Sequence, residues 1–197
     1  MSCEFQRAVL KMIHQAIGGS CGPTPEWLKR PGRIEFGKRW NLISAIYKEL
    51  TDSDLPETTP RHEWRRVDCV LTMANSSPRI IEIDEIQHFN TFRASTLRLY
   101  SGKIQLAFDP KVWIKESEKK VRLESGGFAA PKPPLFPNPG GRHLQRAFRD
   151  ALCDILPPDH DFLPTLRIAK FEVDDWLSGN DACDKMKELL RSKNVIA

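Results

Sequence analysis

The chain has 197 residues, of which 40% are hydrophobic and 28% charged, with a formal net charge of +4. That length can bury one ample core without staples, and no apolar run approaches the roughly 18–20 residues needed to cross a bilayer. The five cysteines, at 3, 21, 69, 153 and 183, are odd in number, widely spread and without a CxxC pair. They exclude a clustered zinc site or a secreted disulfide framework and read as isolated reduced thiols.

Met1 to Ala16 alternates polar with apolar residues around Glu4 and Gln6 and lacks the apolar centre of a signal peptide. The expected setting is therefore intracellular and cytoplasmic, nucleoid-associated if the source is bacterial, with no membrane partner. Residues 4–17 carry Phe5, Val9, Met12 and Ile13 on one side of a predicted helix. Gly18 to Gly22 ends it and reads as a plain linker, because it lacks the Lys-Ser/Thr ending of a phosphate loop and follows no strand. Thr24 to Leu28 predicts a capped helical turn with Pro25 at its first position.

Phe36, Trp40, Ile43, Ile46, Tyr47 and Leu50 recur at helical spacing and predict a second amphipathic helix over 34–50. Thr51 to Pro60 reads as a loop. Val67 to Ala74 and Arg79 to about Ile86 predict two strands joined at Asn75–Pro78, the second apolar on both faces as a central strand is. Thr91 to Tyr100 predicts a short helix, Ile104 to Phe108 a third strand, and Pro110 to Leu123 a basic helix.

Residues 125–142 hold five prolines and four glycines and read as an irregular insertion. A helix over His143 to Leu156 stops at Pro157-Pro158, Thr165 to Val173 predicts a strand, and Asp181 to Leu190 the last helix. The expectation is one α/β domain over 1–197, with a helical part over about 1–33 and a central mixed sheet flanked by helices.

The segment Arg79-Ile80-Ile81-Glu82-Ile83-Asp84-Glu85-Ile86-Gln87-His88 places three carboxylates in an isoleucine-rich strand. Buried carboxylates are costly unless paired or bound to a metal, and hard cations such as Mg²⁺ are held by one or two carboxylates plus waters and phosphate oxygens. Glu82 and Asp84 share a strand face, roughly 6.5–7 Å apart at the backbone. Asp68 joins them only under one pairing parity. If Ala74 pairs with Arg79, Asp68 lies opposite Glu85; one step of register puts it opposite Asp84. The grouping Asp68/Glu82/Asp84 is preferred as a metal site, with Asp68/Glu85/Gln87 in reserve.

Gln87 and His88 could orient a water or a phosphate, since His is a competent base near neutral pH. A cationic frame surrounds the acids: Arg61, Arg65, Arg66, Arg93 and Arg98, then Lys111, Lys115, Lys119, Lys120 and Arg122, then Arg142, Arg146 and Arg149. Phosphate neutralisation needs such a frame, and Arg65, Arg66, Arg93 and Arg98 lie nearest the acids in sequence. Glu85, Glu35 and Lys103 are secondary candidates. Trp40, Trp64, Trp113 and Trp176 could stack on bases but read mostly as core.

Val67-Asp68 followed by Ile81-Glu82-Ile83-Asp84-Glu85-Ile86-Gln87-His88-Phe89 resembles the PD-(D/E)XK nuclease superfamily. More narrowly it resembles the subset related to very-short-patch repair and homing endonucleases, with its E-x-D-G-x-Q-H-type strand. The resemblance implies a restriction-endonuclease-like αβββαβ core and a Mg²⁺-dependent endonuclease hydrolysing DNA phosphodiesters, in restriction, repair or mobile-element defence. Mn²⁺ would substitute, RNA stays open as substrate, and cutting both duplex strands would suit a homodimer.

By the resemblance Asp68 bridges the metal and Glu82 is its second ligand. Three positions depart from the pattern: Val67 precedes Asp68 in place of Pro, Asp84 stands where Lys is usual, and Glu85 replaces a common Gly. A nuclease-like module that binds nucleic acid or a partner protein without cutting is the alternative.

Overall fold

The computed structural model describes residues 2–60, 65–74, 76–119 and 126–196. Arg61, Trp64, Asn75, Lys120, Arg122 and Leu123 lie outside the described residues. Helices α1 (Ser2–Ile17), α2 (Glu26–Lys29), α3 (Arg33–Phe36) and α4 (Trp40–Thr51) surround a first short strand, β1 (Ser20–Gly22). Strands β2 (Cys69–Thr72) and β3 (Arg79–Asp84) follow, then helices α5 (Thr91–Tyr100), α6 (Pro110–Glu118) and α7 (Gly141–Ile155). Strand β4 (Leu163–Ala169), a helical turn α8 (Lys170–Val173) and helix α9 (Ala182–Ser192) close the chain. No described helix is long and apolar enough to cross a membrane.

The four strands form one mixed sheet in the order β1-β2-β3-β4, antiparallel up to β3 and parallel between β3 and β4. Strand alternation sorts side chains into two layers. Ile81 and Ile83, with Cys69, Leu71, Leu166 and Ile168, meet Val9 and Ile13 of α1 and Met186 and Leu190 of α9. Val70 and Ile80 meet the larger core built from α4, α5, α6 and α7, where Tyr47, Tyr100, Trp113 and Phe148 pack. Every residue of β3 is buried, and each isoleucine buried there stabilises the fold by about 1.5–3 kcal/mol. The result is helices on both faces of a mixed sheet.

Four sequence expectations are corrected. The predicted 34–50 helix is broken at Gly37, whose φ of +47° suits glycine and ends α3; Ile34, at its start, is 90% exposed. Ile104 to Phe108 is not a strand, although Phe108 does reach the core. The first strand is instead Ser20–Gly22, within the supposed linker. There Gly19 has a φ of +91°, and a Cβ on it would come within 2.8 Å of the Leu71 side chain. The strand predicted over 165–173 ends at Ala169, after which α8 turns away.

The thiol expectation is corrected too: Cys21 and Cys69 are joined, with Cα atoms 5.6 Å apart. Cys21 pairs with Leu71 in the ladder, so the bond runs diagonally and clamps β1 beside Asp68. Cys153 and Cys183 are free. Such bonds persist in oxidising compartments, which pulls against the cytoplasmic expectation. The bond spans a sequence separation of 48, and its reduction is expected to lower stability by about 2–4 kcal/mol. Denaturant midpoints with and without reductant measure this, and coincident midpoints would contradict it.

Candidate functional site

The ladder settles the parity question. Cys69 pairs with Ile81 and Val70 with Ile80, so one step further Asp68 stands across from Glu82. Asp68, Glu82 and Asp84 then share the sheet face that looks toward α7, and the reserve grouping with Glu85 and Gln87 falls away.

Their surroundings nevertheless differ. Asp68, Glu82, His88 and Asp150 line a cavity of about 190 Å³, framed by Arg65, Arg66, Arg142, Arg146 and Arg149. Asp84 does not line it. It is fully buried, accepting 2.6 Å from Trp113 Nε1 and 2.7 Å from Arg167 Nη1. It belongs to an interior ion network and is withdrawn as a metal ligand. Among the described residues no group of three or more His, Cys, Asp or Glu side chains could hold a metal ion; of the three predicted ligands, Asp68 and Glu82 line the cavity.

Glu82 is fixed on one oxygen. Arg65 Nη2 donates to its Oε1 at 3.2 Å and the Cys153 thiol at 3.3 Å. Burial and the Glu82 charge push the Cys153 thiol well up, despite Arg65, so it stays a neutral donor. Arg65 also donates to the Arg149 carbonyl on α7, tying the cavity floor to its wall. Asp68 Oδ2 accepts from the Ile83 amide at 2.8 Å. Its carboxyl is pushed up to about 7, first by burial and then by the Glu82 charge, with the Ile83 amide and His88 opposing only in part. Two acids that repel in a cavity with room for waters and a phosphate fit a divalent cation, which needs few protein ligands.

His88 Nδ1 lies 3.1 Å from Asp150 Oδ2 and 3.5 Å from Asp84 Oδ1. Burial lowers the imidazole's proton affinity, but the charges of Asp150 and Asp84 and the Asp150 hydrogen bond outweigh it, and the net direction is upward. Asp150 itself is raised by burial yet held well below the usual carboxylate range by His88 and Arg167. Arg167 Nη2 donates to the Asp150 carbonyl at 3.0 Å, and its Nε to Asp154 Oδ1 at 2.7 Å.

Other expected residues fall elsewhere. Arg93 is fully buried, donating 2.7 Å to Asp154 and 2.5 Å to the Tyr100 hydroxyl, and is corrected from a nucleic-acid contact to a core residue. Arg98 pairs with Glu118 on the α5 surface. Glu35 closes its own helix start on the Gly32 amide at 2.8 Å, and Lys103 is exposed away from the cavity. Gln87 presents its carbonyl to Arg146 at 3.1 Å, and Glu85 opens the turn Ile86–His88 by accepting the His88 amide at 2.9 Å; neither lines the cavity. Trp113 is core.

Sequence reasoning missed Asp150 and Asp154. The signal was present: His143, Ala147, Asp150 and Asp154 form a stripe at helical spacing beside the apolar face of α7, and all four are buried. A larger cavity of about 450 Å³ lies beyond the turn, around Ile86, Phe89 and Phe171. Its charged rim is paired as Lys119–Glu116 and Lys170–Asp174. Comparison of the chain with protein families, curated proteins and solved structures finds no match.

Two predictions follow from the charges. The folded protein holds the Asp68 proton more tightly than the unfolded chain, where the carboxyl titrates near 3.8. That stabilisation is complete below the unfolded value and is lost as pH rises through about 7. Asp68→Asn is therefore expected to raise the urea midpoint of the metal-free protein near pH 8 and to change it little near pH 4. A variant equally or less stable than wild type near pH 8 would refute this. Arg167→Met would leave Asp84, Asp150 and Asp154 sharing one guanidinium fewer, and should lower stability by about 3–5 kcal/mol, read as a fall in denaturant midpoint.

Proposed function

We propose that the chain is a divalent-metal-dependent phosphodiesterase acting on nucleic acid, with DNA the substrate implied by its resemblance to PD-(D/E)XK nucleases. One observation carries this reading: Asp68 and Glu82, opposed across adjacent strands, share a cavity with arginines from the β2 approach and from α7. Two carboxylates beside an arginine frame suit a metal ion together with a phosphate.

The chain order α1, β1, β2, β3, α7, β4, with α2–α4 inserted after β1 and α5–α6 after β3, supports the restriction-endonuclease-like core, although its first strand is Ser20–Gly22 and not a strand at 104–108. Asp68 and Glu82 would hold Mg²⁺ or Mn²⁺. When bound, such an ion polarises the phosphate and lowers the pKa of an attacking water.

The chain's own residues do the rest. Arg65 and Cys153 set the Glu82 carboxylate. Arg142, Arg146 and Arg149 recur at spacings of four and three on α7, one side of the helix, and bring positive charge to the cavity where a phosphodiester would lie. His88 stands beside the acids with one ring edge engaged by Asp150.

A second reading, binding without cutting, is favoured by one observation. The position two residues after Glu82, where lysine is usual, is Asp84, locked to Arg167 and Trp113 and away from the cavity.

The test is incubation with supercoiled plasmid, linear duplex, single-stranded DNA and RNA in Mg²⁺, Mn²⁺ or EDTA, repeated with Glu82→Ala. Metal-dependent cleavage that drops about 100-fold or more in Glu82→Ala is the expected result. Cleavage that survives Glu82→Ala would sink the site, and salt-sensitive binding with no cutting would favour the second reading.

A further inference from the structure

We infer that Asp150 is a positioning residue: it holds His88 with the Nδ1 edge turned into the protein and the Nε2 edge presented to a phosphodiester oxygen in the Asp68–Glu82 cavity. This rests on the phosphodiesterase reading. An imidazole carries its two nitrogens on different edges, and Nδ1 is engaged, 3.1 Å from Asp150 Oδ2 and 3.5 Å from Asp84 Oδ1. His88 is 15% exposed at its side chain and lines the cavity together with Asp150. Nε2 is the nitrogen left for that space.

The ring is held from several directions. Arg167 Nη2 reaches the Asp150 carbonyl at 3.0 Å and Oδ1 at 3.4 Å, which fixes the carboxylate that faces His88. The backbone turn under His88 is pinned by the His88 amide on Glu85 and by Arg146 on the Gln87 carbonyl. Such outer hydrogen bonds fix both tautomer and orientation of an imidazole.

The charged groups set around His88 include Asp150 and Arg146 from α7, Asp84 from β3, Arg167 from β4 behind both of those acids and, across the cavity, Asp68. Asp150 and Asp84 at the Nδ1 edge outweigh Arg146 and favour an imidazolium, which gives one N–H to Asp150 and keeps the other for an anion. An N⁺–H donor aimed at a phosphate oxygen is a strong, charge-assisted contact. A salt-bridged structural histidine would need no access to the cavity.

The test uses the full chain, metal-free and ¹⁵N-labelled at the imidazoles, titrated with inorganic phosphate and followed by NMR. The expected result is a doubly protonated ring, a phosphate-dependent shift at its Nε2–H, and an apparent phosphate affinity at that signal about tenfold weaker in Asp150→Asn. A His88 signal that phosphate leaves unmoved in the wild type, or an Asp150→Asn response equal to the wild type, overturns the inference.

Because Asp150 is buried, a second variant guards against misfolding. His88→Gln alters a partly exposed side chain and retains an N–H donor. On plasmid with Mg²⁺, Asp150→Asn should lower kcat about 10–100-fold with KM little changed, and should add nothing in the His88→Gln background. An equal further loss in that background would mark Asp150 as merely structural and overturn the inference. The two readings fail separately: cleavage by the wild type with His88 silent to phosphate sinks this inference alone. A responsive His88 without cleavage supports the inference and sinks the hydrolase reading.

Discussion

The arrangement depends on Arg167. It sits on β4 opposite Glu82 of β3 in the parallel ladder, and its guanidinium is completely buried. It reaches Asp84 on β3 and both Asp150 and Asp154 on α7. An isolated buried charge costs several kcal/mol, and mutual attraction offsets that only when the remaining polar atoms are also satisfied. Here Trp113 takes the second oxygen of Asp84, while Arg93 and Tyr100 take the second oxygen of Asp154. One cation from one strand thus fixes the neighbouring strand and the helix above it, a joint that apolar packing alone would leave free to slide.

That joint divides the acids by role. Asp84 and Glu82 alternate on the same face of the same strand, yet one meets Arg167 and the other meets the cavity. The same helix that supplies Asp150 and Asp154 to the interior presents Arg142, Arg146 and Arg149 to the cavity rim. Asp150 and Asp68 then titrate in opposite directions from the same ordinary value, because one faces Arg167 and His88 and the other faces Glu82. Burial raises both; the identity of the nearest charge decides the outcome.

Long periodic segments were legible in the sequence. Thr91–Tyr100 matches its expected bounds, and the double-sided isoleucine pattern of β3 gave a central strand. The site was legible as a set of acids, and its parity was left open because a one-residue slip changes no local pattern. What the sequence hid was partnership. Ser20–Gly22 has no alternation, and only pairing with β2 makes it a strand. Ile104, Leu106 and Phe108 alternate as a strand would, but no neighbouring strand accepts them. Arg93 and Asp84 carry the charges expected of a surface and a metal site, and each is neutralised inside the core by residues some 60 to 80 positions away.

Charge accounting in the interior links these observations to the cavity. Arg93 and Arg167 supply two positive charges, while Asp84, Asp150 and Asp154 supply three negative ones. Burial and Asp154 raise the Tyr100 hydroxyl well above its usual range, so it adds none. One negative charge is left over, and the cation that stands against it is His88, touching Asp150 and Asp84 on one edge and lining the cavity on the other. A third buried arginine would have neutralised the core and sealed it. A histidine at that place leaves the balance reversible, and makes the proton on His88 common to the core's electrostatics and to the cavity of Asp68 and Glu82. The buried network therefore reaches the cavity: through Asp150 and Asp84 it sets how firmly the imidazole is held and which of its edges is engaged.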